Sequence, residues 1–272
     1  MKSYSNTITA SINRKGVLDI DTVKGCREGM KNHPDGGCYG LCYAAKIAKL
    51  YGYDFSKSIS REVYDEEIGG KLFENIHLGG PSDIFKMVTR HKLKWFRIGT
   101  MGDPSHDWET TLHLCGFLGR VKIPVVVTKH WHVATDTQLD EFRKYNAVFN
   151  TSTSPLDSDK EILHRIGQHK RLIDHGIKSA LRVVSCEFGN TKTGKKLNEK
   201  QDYIFGYKNI IDNPLRIPRR DKRVICGDIL VKKIKDINST STISIKNSST
   251  YIGHCDKCPD QCGINFWREN GK

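Results

Sequence analysis

Nine cysteines punctuate this 272-residue chain, and seven of them fall into two groups. Cys26, Cys38 and Cys42 lie near the start; Cys226, Cys255, Cys258 and Cys262 lie near the end; Cys115 and Cys186 stand alone. Thiols grouped at short spacing point to metal or redox chemistry, because thiolates are the preferred ligands of zinc and of iron–sulfur clusters. Three thiolates can hold three irons of a [4Fe–4S] cluster and leave the fourth open to a non-protein ligand. Zinc completed by a histidine such as His33 is served equally well by that spacing. In the second group Cys255 and Cys258 form a CxxC step, and Cys262 and Cys226 bring the set to four. Four thiolates suit a structural zinc or a second [4Fe–4S] cluster, with His254 as a substitute donor should Cys226 lie elsewhere. Cys115 and Cys186 read as core thiols.

The elements that must position these groups follow a βα rhythm. Residues 16–23 alternate apolar and polar side chains and run as a strand into Gly25-Cys26, followed by a Gly- and Pro-bearing loop to Gly37. Apolar residues at helical spacing from Cys42 to Tyr51, closed by Gly52, predict a helix. Another begins at Ser82, after Gly79-Gly80-Pro81. Strands are expected at 96–101, 123–128, 146–150 and 179–185, and helices at 110–116, 136–145 and 158–175, with Gly176 as a cap; Tyr207 begins a further unit. Repeated βα units imply a parallel sheet, open or closed as a barrel. Polar residues follow each strand: Asp103, Thr128-Lys129, Asn150-Thr151-Ser152 and Cys186-Glu187. In βα barrels that C-terminal edge is where sites are built.

Composition narrows the class. Hydrophobic residues make up 37% and charged residues 28%, the balance of a globular protein rather than a disordered one. No apolar run reaches the ~18 residues of a membrane span, and residues 1–15 lack the apolar core of a secretory signal, so a cytoplasmic protein without membrane contact is expected. Such a reducing compartment disfavours disulfides. Forty-four Lys and Arg against 31 Asp and Glu give a net charge of +13. Residues 189–235 hold 13 of the basic residues and 5 acidic ones, including Arg216, Arg219, Arg220, Lys222 and Arg223. Such a field favours polyanions, nucleic acid among them.

The stretch Gly25-Cys26 … Gly37-Cys38-Tyr39-Gly40-Leu41-Cys42-Tyr43-Ala44 resembles the iron–sulfur motif of radical S-adenosylmethionine (radical SAM) proteins, above all a divergent group common in phage genomes. In that group one cysteine ends the first strand and two close ones precede Tyr-Ala. The usual superfamily motif is a CxxxCxxC run; here position 45 is Ala and the third thiol comes from Cys26. The resemblance covers about residues 17–190. It implies a partial or complete parallel βα barrel over residues 1–215, with residues 216–272 as a cysteine-rich metal-binding extension. It further implies a [4Fe–4S] cluster on Cys26, Cys38 and Cys42, and reductive cleavage of S-adenosylmethionine to a 5′-deoxyadenosyl radical. An electron donor such as flavodoxin or ferredoxin would be needed, and the compartment would be the cytoplasm, the host's if the chain is phage-encoded. Gly102 and Asp103 match the family's glycine-plus-acid motif for the methionyl amino group. Arg182 is a candidate for the methionyl carboxylate, and Thr128 and Ser152 for the ribose. The second site, on Cys226, Cys255, Cys258 and Cys262, leans by the same resemblance toward iron–sulfur.

Two other function classes use the same residues. One is a zinc-stabilised nucleic-acid-binding protein gripping phosphates with residues 189–235. The other is a barrel metallohydrolase using His130, His132, Asp103 and Glu187. In Lys129-His130-Trp131-His132, the two imidazoles share one face only if the backbone stays extended; a pocket or structural role is expected of them. Trp108, Trp131 and Trp267 can stack bases or simply pack.

Overall fold

In the computed structural model, residues 8–33, 36–61, 81–234 and 242–267 are described. The expected loop residues Pro34, Asp35, Gly79 and Gly80, and residues 236–241 of the Ser/Thr/Asn-rich stretch, lie outside them. The protein is α/β, with a mostly parallel sheet, and the chain divides into two compact units.

The first unit comprises Val17–Phe149 with residues 8–13 and His175–Ile177. Its elements are β1 (Thr9–Ile12), β2 (Leu18–Asp21), β3 (Val23–Lys24), α1 (Arg27–Asn32), α2 (Tyr43–Tyr51), β4 (Ile59–Ser60), α3 (Pro81–Arg90), β5 (Trp95–Ile98), α4 (Trp108–Leu118), β6 (Ile123–Thr128) and α5 (Asp136–Lys144). Strand order is β1-β2-β5-β6. β1 is antiparallel to β2, whereas β2, β5 and β6 are mutually parallel, with Ile20 opposite Ile98 and Ile98 opposite Val126. The Ile-Pro-Val-Val-Val run of β6 is the continuous apolar pattern of a strand covered on both faces. Phe96, Ile98, Val125 and Val126 are fully buried, as are Ile84 and Val88 of α3 and Leu114 and Leu118 of α4. Each such side chain contributes about 1.5–3 kcal/mol. α2 buries its small face, Ala44, Ala45 and Ala48, and ends as expected at Gly52 in the left-handed conformation. α5 starts at a capping box between Thr135 and Gln138.

β7 (Val148–Thr153) leaves the first unit at Phe149 and enters the second. There it is followed by α6 (Asp159–Asp174), β8 (Lys178–Ser185), β9 (Glu187–Phe188), α7 (Lys192–Phe205), β10 (Ile210–Arg216), α8 (Lys222–Ile225), β11 (Ile229–Leu230) and β12 (Ile243–Ser244). β8 and β10 are parallel, and β12 adds an antiparallel edge strand. α6 and α7 pack Ile162, Ile166 and Ile204 on Leu181 and Val183 of β8. Arg165 of α6 is only 2% exposed, with Nη1 2.5 Å from Asp157 Oδ2 and Nη2 3.4 Å from Glu161.

Candidate metal centre

Because β2, β5 and β6 are parallel, their C-terminal ends emerge at one edge of the first unit. β2 leads into Asp21 and, past β3, into Cys26. β5 leads into Gly99–Asp103, and β6 into Lys129–His132.

Cys26 is the N-cap of α1, its sulfur 3.4 Å from the Gly29 N–H. Cys42 is the N-cap of α2, and Cys38 opens a 3-10 turn, Cys38–Gly40, behind Gly37. All three thiols stand where helical turns begin, where free backbone N–H groups favour a thiolate. Cys26 and Cys38 also draw together. A side chain at Gly29 would place its Cβ 3.1 Å from Cys26 Sγ, 3.6 Å from Cys38 Sγ and 3.6 Å from His130 Nε2. The two sulfurs therefore lie no farther apart than those first two distances joined end to end. His130 Nε2 is itself 3.6 Å from Cys38 Sγ. Cys42 packs against the apolar cluster that holds Cys26, Ala44, Ala45 and Phe55. A Cβ at Gly37 would come within 2.5 Å of the Cys42 Cβ. Burial, then the charges of Asp103 and Cys38, pushes the Cys26 thiol up.

The Gly102-Asp103 turn fixes this assembly. Gly25 N donates to Met101 O at 3.1 Å, and Gly25 pairs with Gly102 in an isolated parallel bridge. A Cβ at Gly102 would stand 2.2 Å from Val23 O, so only glycine permits the approach. Asp103 Oδ1 accepts from Ser105 N at 3.0 Å and Thr128 Oγ1 at 2.6 Å; Oδ2 accepts from Lys129 N and His130 N, both at 2.8 Å. Burial alone would raise its pKa. The His130 charge and these hydrogen bonds outweigh burial and hold the carboxyl at about 2. Gly102, Asp103 and Thr128 thus work on the chain itself, aiming the segment that carries His130 at Cys38. Lys129 reaches back to the Tyr39 hydroxyl and lies over its ring.

Asp21 is the opposite case. Its Oδ1 accepts from Thr100 N at 2.5 Å and Met101 N at 2.8 Å, yet burial outweighs those bonds and raises its pKa from 3.8 to about 6. The folded state therefore disfavours the carboxylate, a penalty that is absent below pH ~4 and complete above pH ~6. Asp21→Asn retains an accepting oxygen and carries no charge. It is expected to match the native protein at pH 4 and to exceed its stability at pH 8 by up to about 3 kcal/mol. Denaturant midpoints at the two pH values check this; a variant less stable at pH 8 refutes it.

His130 and His132 part company. Trp131 between them is left-handed, with φ 42°. His130 meets Cys38, whereas the His132 ring lies 4.4 Å from that of His106. No local signal in the sequence announces that break, nor that His130 is the imidazole beside Cys38; His33, exposed, caps the end of α1. Trp108 and Trp131 pack in an aromatic group with Phe142 and Phe149. Beside α1 an open groove of about 570 Å³ is lined by Arg27, Glu28, Met30, Lys31 and Ser56.

In the second unit Cys255, Cys258 and Cys262 lie on two successive 3-10 turns, Cys255–Lys257 and Gln261–Trp267. Cys258 N donates to Cys255 O at 3.3 Å. Gln261, Cys262 and Gly263 are all left-handed, and the buried Cys262 offers its carbonyl to Asn150 Nδ2 at 2.9 Å. Cys226, exposed, ends α8 with its sulfur 3.6 Å from Arg223 O and hydrogen-bonded to Asp228. Cys186 is fully buried here, as Cys115 is in the first unit. Ser152 is half-buried on β7, and Arg182 of β8 donates to Asn213 Oδ1 at 3.1 Å. Glu187 N donates to Ser244 Oγ at 2.7 Å. Of the basic stretch, Arg219, Arg220 and Lys222 are exposed, while Arg223 is tied to Asp221 at 2.6–2.8 Å.

Among the described residues no group of three or more His, Cys, Asp or Glu side chains is placed to hold a metal ion, and none of the nine cysteines is in a disulfide. No helix among them is long and apolar enough to cross a membrane. No protein-family model, curated protein or solved structure matches the chain.

Proposed function

We propose that the protein is an iron–sulfur-dependent radical SAM enzyme acting in a reducing, cytoplasmic setting, with its cluster on Cys26, Cys38 and Cys42. The observation that carries this reading is the approach of Cys26 and Cys38 to one point over Gly29, with Cys42 packed on the same cluster. The residues suit such a group. Gly29 and Gly37 present no side chain against the sulfurs, and helix N-termini favour the thiolates. Burial that raises the Cys26 thiol is offset when a cationic metal takes the place of its proton. When bound, a cluster with one open iron supplies the electron that cleaves S-adenosylmethionine to a 5′-deoxyadenosyl radical.

The chain's own residues supply the setting. Asp103, Thr128 and Gly102 hold the β5 and β6 turns around the thiols. Met30, Tyr53, Phe55 and Met101 form an apolar wall that limits water near a reactive radical. The groove beside α1, with Arg27 and Lys31, offers a cationic approach for an anionic substrate. The exposed Arg219, Arg220 and Lys222 suit a polyanionic partner such as nucleic acid. The four C-terminal cysteines are proposed as a second cluster or a zinc site.

The 3.6 Å separation of His130 Nε2 and Cys38 Sγ favours a second reading, zinc bound by thiolates and one imidazole in a protein without radical chemistry. One experiment separates the two. Full-length protein reconstituted anaerobically with iron and sulfide should turn brown, and with a reductant and S-adenosylmethionine should release 5′-deoxyadenosine. Cys38→Ala should abolish that release. A colourless protein that retains zinc and yields no 5′-deoxyadenosine overturns the radical reading.

A further inference from the structure

His106 and His132 meet in the segments that follow β5 and β6, yet nothing in the arrangement so far uses them. Their ring centroids are 4.4 Å apart, tilted by 48°. Each carries a buried Nε2 with no hydrogen-bond partner among the described residues. Buried polar atoms are ordinarily paired, and two orphans on touching rings call for a shared explanation. Both imidazoles are held on stiff supports. His106 closes a 3-10 turn, Pro104–His106, that begins with Pro104 and is capped by Asp103. His132 has its carbonyl pinned by the Trp108 indole N–H at 2.7 Å, and Trp131 before it stacks on Phe149.

We propose that His106 and His132 form a binding site for a late first-row divalent metal ion, zinc or cobalt, through their Nε2 atoms. Two imidazoles at the tetrahedral angle on one zinc, at ~2.1 Å per nitrogen, put their ring centroids ~5.3 Å apart. From 4.4 Å the observed pair must spread by about 1 Å. Burial, ahead of the neighbouring charges, lowers the proton affinity of His106 and keeps its lone pair free for a metal. Two protein donors leave two positions of a tetrahedral ion to water or to an anionic ligand, one more than a three-ligand catalytic zinc site leaves open. The imidazole set selects zinc, cobalt, nickel or copper over magnesium or calcium. The site does not depend on radical chemistry at the cysteines.

Cobalt titration of the full-length apoprotein under anaerobic conditions tests it. Cobalt on thiolates gives intense sulfur-to-metal charge-transfer absorption, whereas cobalt on imidazole and water does not. The native chain should bind one equivalent beyond those that carry that absorption. His106→Phe and His132→Phe, which keep a ring in place, should each lose that equivalent and leave the thiolate bands unchanged. Equal stoichiometry in all three folded proteins overturns the site. If either variant fails to fold, long-range ¹H–¹⁵N spectra of the native chain decide. Saturating zinc must move the Nε2 resonances of both His106 and His132; unmoved resonances refute the proposal.

Discussion

Asp103→Ala should cost more than about 4 kcal/mol of stability, at the far end of single-substitution effects. The carboxylate takes four hydrogen bonds, three from backbone N–H groups that have no other role in the site. Its removal orphans every donor at once, and an unsatisfied buried donor costs about 1–3 kcal/mol. Asp103→Asn should fall between, since one oxygen still accepts while the amide nitrogen faces donors. The acid limb gives an independent check. The folded pKa near 2 lies below the ordinary 3.8, so the contribution of the charge is complete above pH ~4 and disappears as the pH falls toward 2. The gap between native and Asn proteins should narrow over that window. Urea midpoints at pH 7 and pH 2.5 measure both effects, and Cys26 alkylation reports whether the thiol loop has come loose. An Asp103→Ala protein as stable as the native one, with Cys26 still protected, would show that the turn is held by something else.

The second large effect belongs to Arg165 in the other unit. Its guanidinium and the Asp157 carboxylate are 2% and 4% exposed, so neither can turn to water when its partner is lost. Asp157→Ala should cost about 3–5 kcal/mol, because it removes the buried carboxylate nearest a buried cation. Asp157→Leu combined with Arg165→Met removes both charges and should cost far less, since desolvation is then avoided on both sides. A double-mutant cycle on thermal or urea unfolding compares them. Additive losses would mean that the two side chains act independently.

Legibility in the sequence tracked how local each determinant is. The run Ile123–Thr128 and the small-residue face of α2 are written in consecutive residues, and both elements form where their patterns say. α7 is different. Lys192–Phe205 carries so many charges, and a glycine at 194, that it reads as a basic stretch. Yet Thr191 caps it, and Gly194 admits the Gly189 carbonyl, 2.3 Å from where a Cβ would be. α1 is six residues long and shows no period at all. β1 is shorter still, at four residues, and only its pairing with β2 makes it a strand. The cysteines were visible as donors, but their approach over Gly29 was not, because it is fixed from afar. Asp103 acts on residues 25 to 27 positions away, and Gly102 on Val23 and Gly25. A Gly-Asp-Pro turn looks the same whether it merely reverses the chain or organises a site.

The apportioning of residues between the two units has a consequence for synthesis. All three thiols, the turn that anchors them and both orphaned imidazoles lie within Val17–Phe149, and the first unit takes in only His175–Ile177 from later in the chain. At translation rates of about 5–20 residues per second, the residues from Asn150 onward take roughly 6–25 s to follow. During that interval the nascent chain already carries all three thiols of the first unit while the residues of the second are still being added. If the proposed first site takes a metal, its thiols are made well before Cys226, Cys255, Cys258 and Cys262, whose own proposed site can be filled only afterwards.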